Sequence, residues 1–413
     1  MKRIIQLLCV SALIYTVWSI PIGVHANTDQ PTNLYSETSI LIDASTGEIL
    51  YEDQSEKRMF PASITKILTG ILAIESRKLD ETATISKKAV EAEGTSVYLL
   101  EGEKMKLHQL VKGMLINSGN DAGVAVAENL SGSVDRFAKR MNTFVQEGLG
   151  LTDSHFTNPH GLFDENHYTT AYDMAYITKY ALENPKFRKI VSTKEMEWVG
   201  KGWETTLYNH NRLLWRYDGV IGVKNGYVDQ SQHTLVTAAK RNGTTLIAVT
   251  MKADTSEQAY EDTIALLDYG FGNFETGTIE KGTVLHNSDG KEIRIEEEKL
   301  FTHKMGEGVK TKIDERGYLV VENSQHEEIA SFPLLPKMDQ KVVASESQAE
   351  QAKESVGLLS WIVSIVPMIV IGVFLLLVLM IILRIRRKVR NRRLERLRRR
   401  RMANEIHQNV FRR

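Results

Sequence analysis

Pro61-Ala62-Ser63-Ile64-Thr65-Lys66 is the stretch on which the reading of this chain turns. Beyond Pro61, the apolar residues Ile64, Ile67, Leu68, Ile71 and Leu72 recur at helical spacing. A separation of three puts Ser63 and Lys66 on one face at the start of that helix. A serine hydroxyl is a poor nucleophile until a base takes its proton. A lysine amine can be that base once burial or a neighbouring cation lowers its pKa. The helix N-terminus adds partial positive charge and free N–H groups for a developing oxyanion. Taken alone, Ser-x-x-Lys is common by chance and reads as a surface pair.

Working outward, residues 39–51 read as a hairpin around the turn signal Ser45-Thr46-Gly47. Helical patterns cover 107–117, 121–131, 133–148 and 170–182. Strands return at 220–227 and 234–251, the latter broken by the hairpin turn Asn242-Gly243, and a helix closes the region at 257–269. Strands at both ends with helices between predict an α+β domain, an antiparallel sheet sewn from the two chain ends with a helical lobe inserted. From about 276 to 336, short alternating runs between Gly and Asp turns predict a small all-β domain. Residues 337–355, rich in Gln, Glu, Ser, Ala and Lys, read as a stalk.

Two further motifs fall in this framework. Ser118-Gly119-Asn120 lies between two predicted helices, where a loop can present a hydroxyl and an amide to a cleft; alone it is an ordinary capped turn. Lys224-Asn225-Gly226 ends the strand at 220–227, followed by Tyr227. There a strand edge can hold an extended peptide, with Lys224 facing an anion and Gly226 allowing close approach.

In order and spacing, the three motifs resemble those of the penicillin-recognising serine enzymes: Ser-x-x-Lys, Ser-x-Asn and Lys-Thr-Gly. The text around them is similar to the D-alanyl-D-alanine carboxypeptidases, the low-molecular-mass penicillin-binding proteins. It includes 61–66, Ile116-Asn117-Ser118-Gly119-Asn120-Asp121-Ala122, Phe156-Thr157-Asn158-Pro159-His160-Gly161-Leu162 and 167–175. The resemblance covers about 36–275. It implies a transpeptidase/β-lactamase-like catalytic domain that binds peptidoglycan stem peptides ending in D-Ala-D-Ala and is inhibited by β-lactams, with no cofactor and no metal. It implies Ser63 as nucleophile, Lys66 as base and Ser118 as proton relay. Asn120 would position Lys66 and the substrate, and Lys224, Asn225 and Gly226 would receive the terminal carboxylate. Backbone N–H groups of Ser63 and Tyr227 would form the oxyanion hole. Two positions depart from the family pattern: Asn225 where threonine is usual, and Ala259 near a usual arginine. An endopeptidase or transpeptidase on the same scaffold, or a catalytically weak peptidoglycan-binding scaffold, stay open. His155, His160, His167, Asp164 and Glu165 lack an i, i+4 histidine pair with an acidic base, and are expected to build loops and turns rather than a metal centre.

The chain ends set the compartment. Residues 1–26 read as a secretory signal peptide, with Lys2 and Arg3 before an apolar run and Val24-His25-Ala26 before Asn27; an uncleaved anchor is the alternative. A linker, 27–35, follows. Cys9, the only cysteine, lies in that apolar run, so a cleaved protein has no thiol for disulfides or thiolate catalysis. Residues 356–383 form an uncharged apolar stretch long enough for a single C-terminal transmembrane helix. From Arg384 to Arg413 there are 14 Lys/Arg and 2 Asp/Glu, and this tail directly follows the stretch, which predicts a cytoplasmic tail and an extracellular catalytic domain. Of the 52 basic and 52 acidic residues in all, 36 basic and 50 acidic then fall within 27–383. Anionic lipid heads suit the tail better than nucleic acid, since basic aromatic motifs are missing.

Overall fold

The computed structural model describes residues 29–334. The expected signal peptide, residues 27–28 of the linker, residues 335–336, the stalk, the transmembrane stretch and the basic tail therefore lie outside the described residues. Within them, no helix is long and apolar enough to cross a membrane.

A five-stranded antiparallel sheet organises the molecule. Its strands are β1 (Thr38–Asp43), β2 (Ile49–Asp53), β3 (Val220–Val228), β4 (Gln232–Arg241) and β5 (Thr244–Ala253), in spatial order β2-β1-β5-β4-β3. The N-terminal hairpin thus pairs with the C-terminal meander, and the two chain ends are joined through β1 and β5, as the sequence pattern predicts. Alternation along β1 divides its side chains between two cores. Ile40 and Ile42 face the large core of the helical lobe, while Leu41 faces a smaller cluster with Leu246, Ala248, Leu266 and Leu267.

The lobe is built from α1 (Lys66–Glu75), α2 (Leu107–Ile116), α3 (Asn120–Ser131), α4 (Val134–Thr143), α5 (Ala171–Glu183) and α6 (Pro185–Val191). A closing helix, α7 (Ser256–Asn273), starts with a capping box between Thr255 and Gln258 and covers the other sheet face. Every residue of α1 from Lys66 to Ile74 is buried, so this helix is the axis of the lobe. Such a helix carries a lysine only if its amine finds partners inside.

Two features differ from the sequence reading. The helix expected over 133–148 is α-helical only to Thr143 and finishes as a π-turn, Phe144–Gly148. A ribbon of Glu195–Val199 and Glu204–Tyr208, with Trp198 buried against Gly113, has no counterpart in the expectations. Ala259, noted for standing near a usual arginine, is buried beside Leu213, Leu235, Ala253 and Tyr260 in an apolar cluster.

After α7 the described chain is all β. Phe274–Ile279 pairs with Lys299–Lys304, Val284–His286 pairs with Glu292–Arg294, and three strands span Lys310–Pro333. Ile279, Ile295, Phe301, Leu319 and Val321 form their core. The buried Asp43 carboxylate, at the end of β1, accepts hydrogen bonds from the hydroxyls of Thr276 (2.6 Å) and Thr302 (3.0 Å).

Candidate active site

The site forms where α1, the α2–α3 turn and β3 meet. A 3-10 turn, Ala62–Thr65, precedes α1, and Ala62 sits at φ 50°. Two neighbours hold this turn. The Thr234 hydroxyl donates to the Pro61 carbonyl at 2.9 Å, and Gly161 packs so closely that a Cβ there would stand 1.8 Å from the Ala62 oxygen. With φ at +88°, Gly161 is a position where only glycine fits.

Lys66 is fully buried, and its Nζ lies 2.7 Å from Ser63 Oγ, 2.7 Å from Asn120 Oδ1 and 2.9 Å from the His160 carbonyl. Asn120 Oδ1 and the carbonyl can only accept. A neutral amine has two N–H donors and one lone pair, so those two acceptors use both donors and leave the lone pair toward the Ser63 hydroxyl. Burial, followed by the charge of Lys224, pushes the Lys66 pKa well below the ordinary lysine value, while Asp121 opposes the shift. The three contacts accommodate either form of the amine, and burial favours the neutral one, which could take a proton from the Ser63 hydroxyl.

Asn120 is itself fixed. Its side-chain amide donates to the Glu93 carbonyl at 2.5 Å, and its backbone N–H donates to the Thr95 carbonyl at 2.6 Å. Asp121 is buried and accepts from the backbone N–H groups of Val97 (3.0 Å) and Leu99 (3.1 Å), tying the same loop down. Ser118 lies two residues before Asn120, 4% exposed, with φ at 66°. A non-glycine residue there is uncommon, and such backbone turns gather at functional sites.

Strand β3 forms the opposite wall. Gly226 packs against the nucleophile turn, and an added Cβ would stand 2.7 Å from the Ser63 backbone N and 2.6 Å from Thr234 Oγ1. Lys224 is 2% exposed, and burial lowers its pKa to about 7. Its Nζ donates to the Asn225 carbonyl at 2.8 Å and to Asn225 Oδ1 at 3.2 Å. That contact turns the amide oxygen of Asn225 to Lys224 and leaves its N–H2 for another partner. Tyr227 is half exposed, its ring tilted against His233 at 4.7 Å.

The sequence motifs thus meet in one place, and two of the histidines expected to build loops and turns support them there. His160 contributes a backbone carbonyl, and its buried ring is neutral, its pKa lowered to about 3 by burial; Nδ1 accepts from the Leu162 N–H at 3.2 Å. His167, likewise lowered to about 3, accepts from the Thr157 N–H at Nδ1 and faces the Thr65 hydroxyl through Nε2 at 2.9 Å. Both histidines brace the turn that carries Ser63. His210 was not singled out: burial, then Lys224, lowers its pKa to about 4. Among the described residues, no group of three His, Cys, Asp or Glu side chains is arranged to hold a metal ion.

A hydroxyl, a buried amine and a strand edge on a sheet-and-lobe scaffold define the penicillin-recognising serine acyl-transfer class. Comparison with known proteins narrows this. Residues 25–255 match the D-alanyl-D-alanine carboxypeptidase family, and the chain belongs to that family. It is 37% identical over 253 residues to D-alanyl-D-alanine carboxypeptidase DacF of Bacillus subtilis, a match covering 60% of this chain and 64% of the relative. With DacD of Escherichia coli it shares 32% over 260 residues, covering 60% and 66%. The matches thus span slightly less than two thirds of these curated relatives. In three dimensions it is similar to penicillin binding protein 5 from Haemophilus influenzae, at 28% identity and a TM-score of 0.65, covering 74% of this chain and 97% of that one. Streptomyces K15 DD-transpeptidase is also similar, at 30% identity and a TM-score of 0.56, covering 59% and 99%.

Proposed function

We propose that the chain is a serine-type D-alanyl-D-alanine carboxypeptidase, which removes the terminal D-alanine from peptidoglycan stem peptides. The observation that carries this reading is the Lys66 amine, buried and 2.7 Å from Ser63 Oγ, with its two remaining hydrogen bonds to pure acceptors. Ser63 attacks the carbonyl between the last two D-alanines and passes its proton to Lys66. Backbone N–H groups of Ser63 and Tyr227 receive the oxyanion. Ser118 relays a proton to the departing amine, and D-alanine leaves. Water, activated through Lys66 and Ser118, frees the acyl-enzyme. Asn120 holds Lys66 and the substrate backbone. Lys224 pairs with the terminal carboxylate, the Asn225 N–H2 donates to it, and Gly226 keeps the strand close to Ser63. A β-lactam acylates the same serine.

The wider assignment rests on the sequence: a signal peptide over 1–26, a catalytic domain over 36–275, a β domain over 276–336, and a stalk, membrane helix and basic cytoplasmic tail after it. The enzyme then works outside the cell on a single-pass anchor. The test is labelling with a fluorescent penicillin together with D-alanine release from a stem pentapeptide, each run beside Ser63→Ala. Label and release that both disappear with Ser63 are expected. Label without release would favour transpeptidation, and loss of both in the native protein would favour a scaffold.

A further inference from the structure

A cavity of about 620 Å3 opens where α5 and α6 meet the start of β3, the end of β4, the start of β5 and the turn after β1. It shares no lining residue with the site around Ser63. Ile221, its residue from β3, stands three positions before Lys224, which is roughly 10 Å along an extended strand. The size falls within the roughly 300–1,000 Å3 usual for small-molecule sites. Leu182, Ile221 and Leu300 give the cavity an apolar surface, Leu300 coming from the strands after α7.

The charged side chains that line it are Lys179, Arg188, Lys189 and Lys240 against a single acid, Glu183. The chain around them has the opposite balance, with 36 basic and 50 acidic residues over 27–383. A concave surface of one sign, set against the trend of the molecule, concentrates a field on whatever enters it. Among the described residues, Lys179 alone of the four cations has a carboxylate partner, Glu183 at 3.6 Å. Its stem packs over the turn at Gly47, with Cε 3.4 Å from where a Cβ would stand, which holds this ammonium in place. Arg188 donates through Nη1 to the carbonyls of Leu182 and Glu183. That fixes the guanidinium at the end of α5 and leaves its other N–H groups for a ligand. The ammonium groups of Lys189 and Lys240 have no hydrogen bond or ion pair among the described residues.

Four cations against one carboxylate leave more positive charge than a single carboxylate ligand can neutralise. A phosphate ester carries about −1.5 to −2 charges at neutral pH and three strong acceptor oxygens. A guanidinium fork matches two such oxygens at once, and lysines serve the others as point charges. The cavity has room for more than a phosphate group, and its apolar surface suits a short carbon skeleton. We propose that this cavity is a binding site, separate from the reaction centre, for a phosphate ester of a small polyol, either as a soluble ester or as the head group of an anionic lipid. The inference does not depend on the reaction assigned to Ser63.

The test is calorimetric titration of the full chain, in a neutral detergent, with glycerol 3-phosphate, inorganic phosphate, glycerol and dihexanoyl phosphatidylglycerol. Glycerol 3-phosphate is expected to bind, inorganic phosphate to bind about fivefold more weakly, and glycerol not to bind. The double variant Lys189→Gln with Lys240→Gln should weaken glycerol 3-phosphate binding by about tenfold, because two charge-assisted contacts are lost. Arg188 is kept, since it also holds the end of α5. Lys186→Gln, on α6 but outside the cavity lining, should stay within about twofold of the native protein, its charge being screened by solvent and salt. Cooperative thermal unfolding at the native midpoint checks the fold of both variants. Native-strength binding by the double variant, an equal loss in Lys186→Gln, or no binding of either phosphate ester by the native protein overturns the site. Tighter binding of glycerol 3-phosphate supports the site with a soluble ester as its ligand. Tighter binding of dihexanoyl phosphatidylglycerol that is lost in the double variant supports it with a lipid head group.

Discussion

Two lysines line one cleft, both buried, yet they are held in opposite ways. Lys66 has a complete set of partners from three different segments: Ser63, Asn120 and His160. Among the described residues, Lys224 bonds within its own dipeptide unit, to the carbonyl and amide oxygens of Asn225. A saturated amine with its lone pair toward a hydroxyl is equipped to accept a proton. An amine with neighbours on one side only, and a pKa lowered to about 7, gains most from an anionic ligand, which raises that pKa again. The difference fits the proposed division, with chemistry on α1 and recognition on β3.

The largest effect that could break this contrast is expected from Lys66→Ala. Acylation of Ser63 by penicillin should fall roughly a thousandfold or more, with thermal unfolding still cooperative, as stopped-flow labelling and calorimetry would check. Retained full turnover would remove Lys66 as the base. Next comes Gly226→Ala, which places a methyl 2.7 Å from the Ser63 backbone N and forces β3 from the nucleophile. Acylation should drop by about a hundredfold, since misplacement of this size spoils alignment of the reacting groups.

The pH profile sharpens the contrast further. Lys66 works as the neutral amine, so kcat/KM rises as pH climbs through its lowered pKa. Lys224 works as the cation, so kcat/KM in the free enzyme declines as pH passes about 7. Lys224→Arg, whose guanidinium stays protonated, should lose the high-pH decline while keeping the low-pH limb. The smallest change is Asn225→Thr. A hydroxyl in place of the amide should raise β-lactam acylation severalfold, and an unchanged or lower rate would show that the Asn225 N–H2 already serves the carboxylate.

Much of this was legible before the fold. Spacing of three between Ser63 and Lys66 and the Ser45–Gly47 and Asn242–Gly243 turns are local patterns, and local patterns are what a sequence displays. The protonation state of Lys66 is different in kind. It depends first on burial and then on the charge of Lys224, and neither is written in the identity of residue 66. Gly161 stood inside a quoted motif, but only its approach to the Ala62 oxygen explains why a side chain is excluded. The π-turn after Thr143 was hidden because the apolar pattern over 133–148 runs on while the hydrogen bonding changes. The ribbon at 195–208 was hidden because its strands are short and only Trp198 and Leu207 are buried in it. Ala259 stands near a position where the family usually has arginine, and its sequence does not show that it packs with Leu213, Leu235 and Tyr260.

Heteronuclear NMR titration of the lysine side-chain nitrogens, with Lys66 assigned from the signal missing in Lys66→Ala, tests the central claim most directly. Deprotonation of Lys66 well below the ordinary lysine range is the predicted result. A Lys66 amine that stays charged up to the value of a solvated lysine would contradict it, because no proton acceptor would then stand beside Ser63 at the pH where the enzyme works.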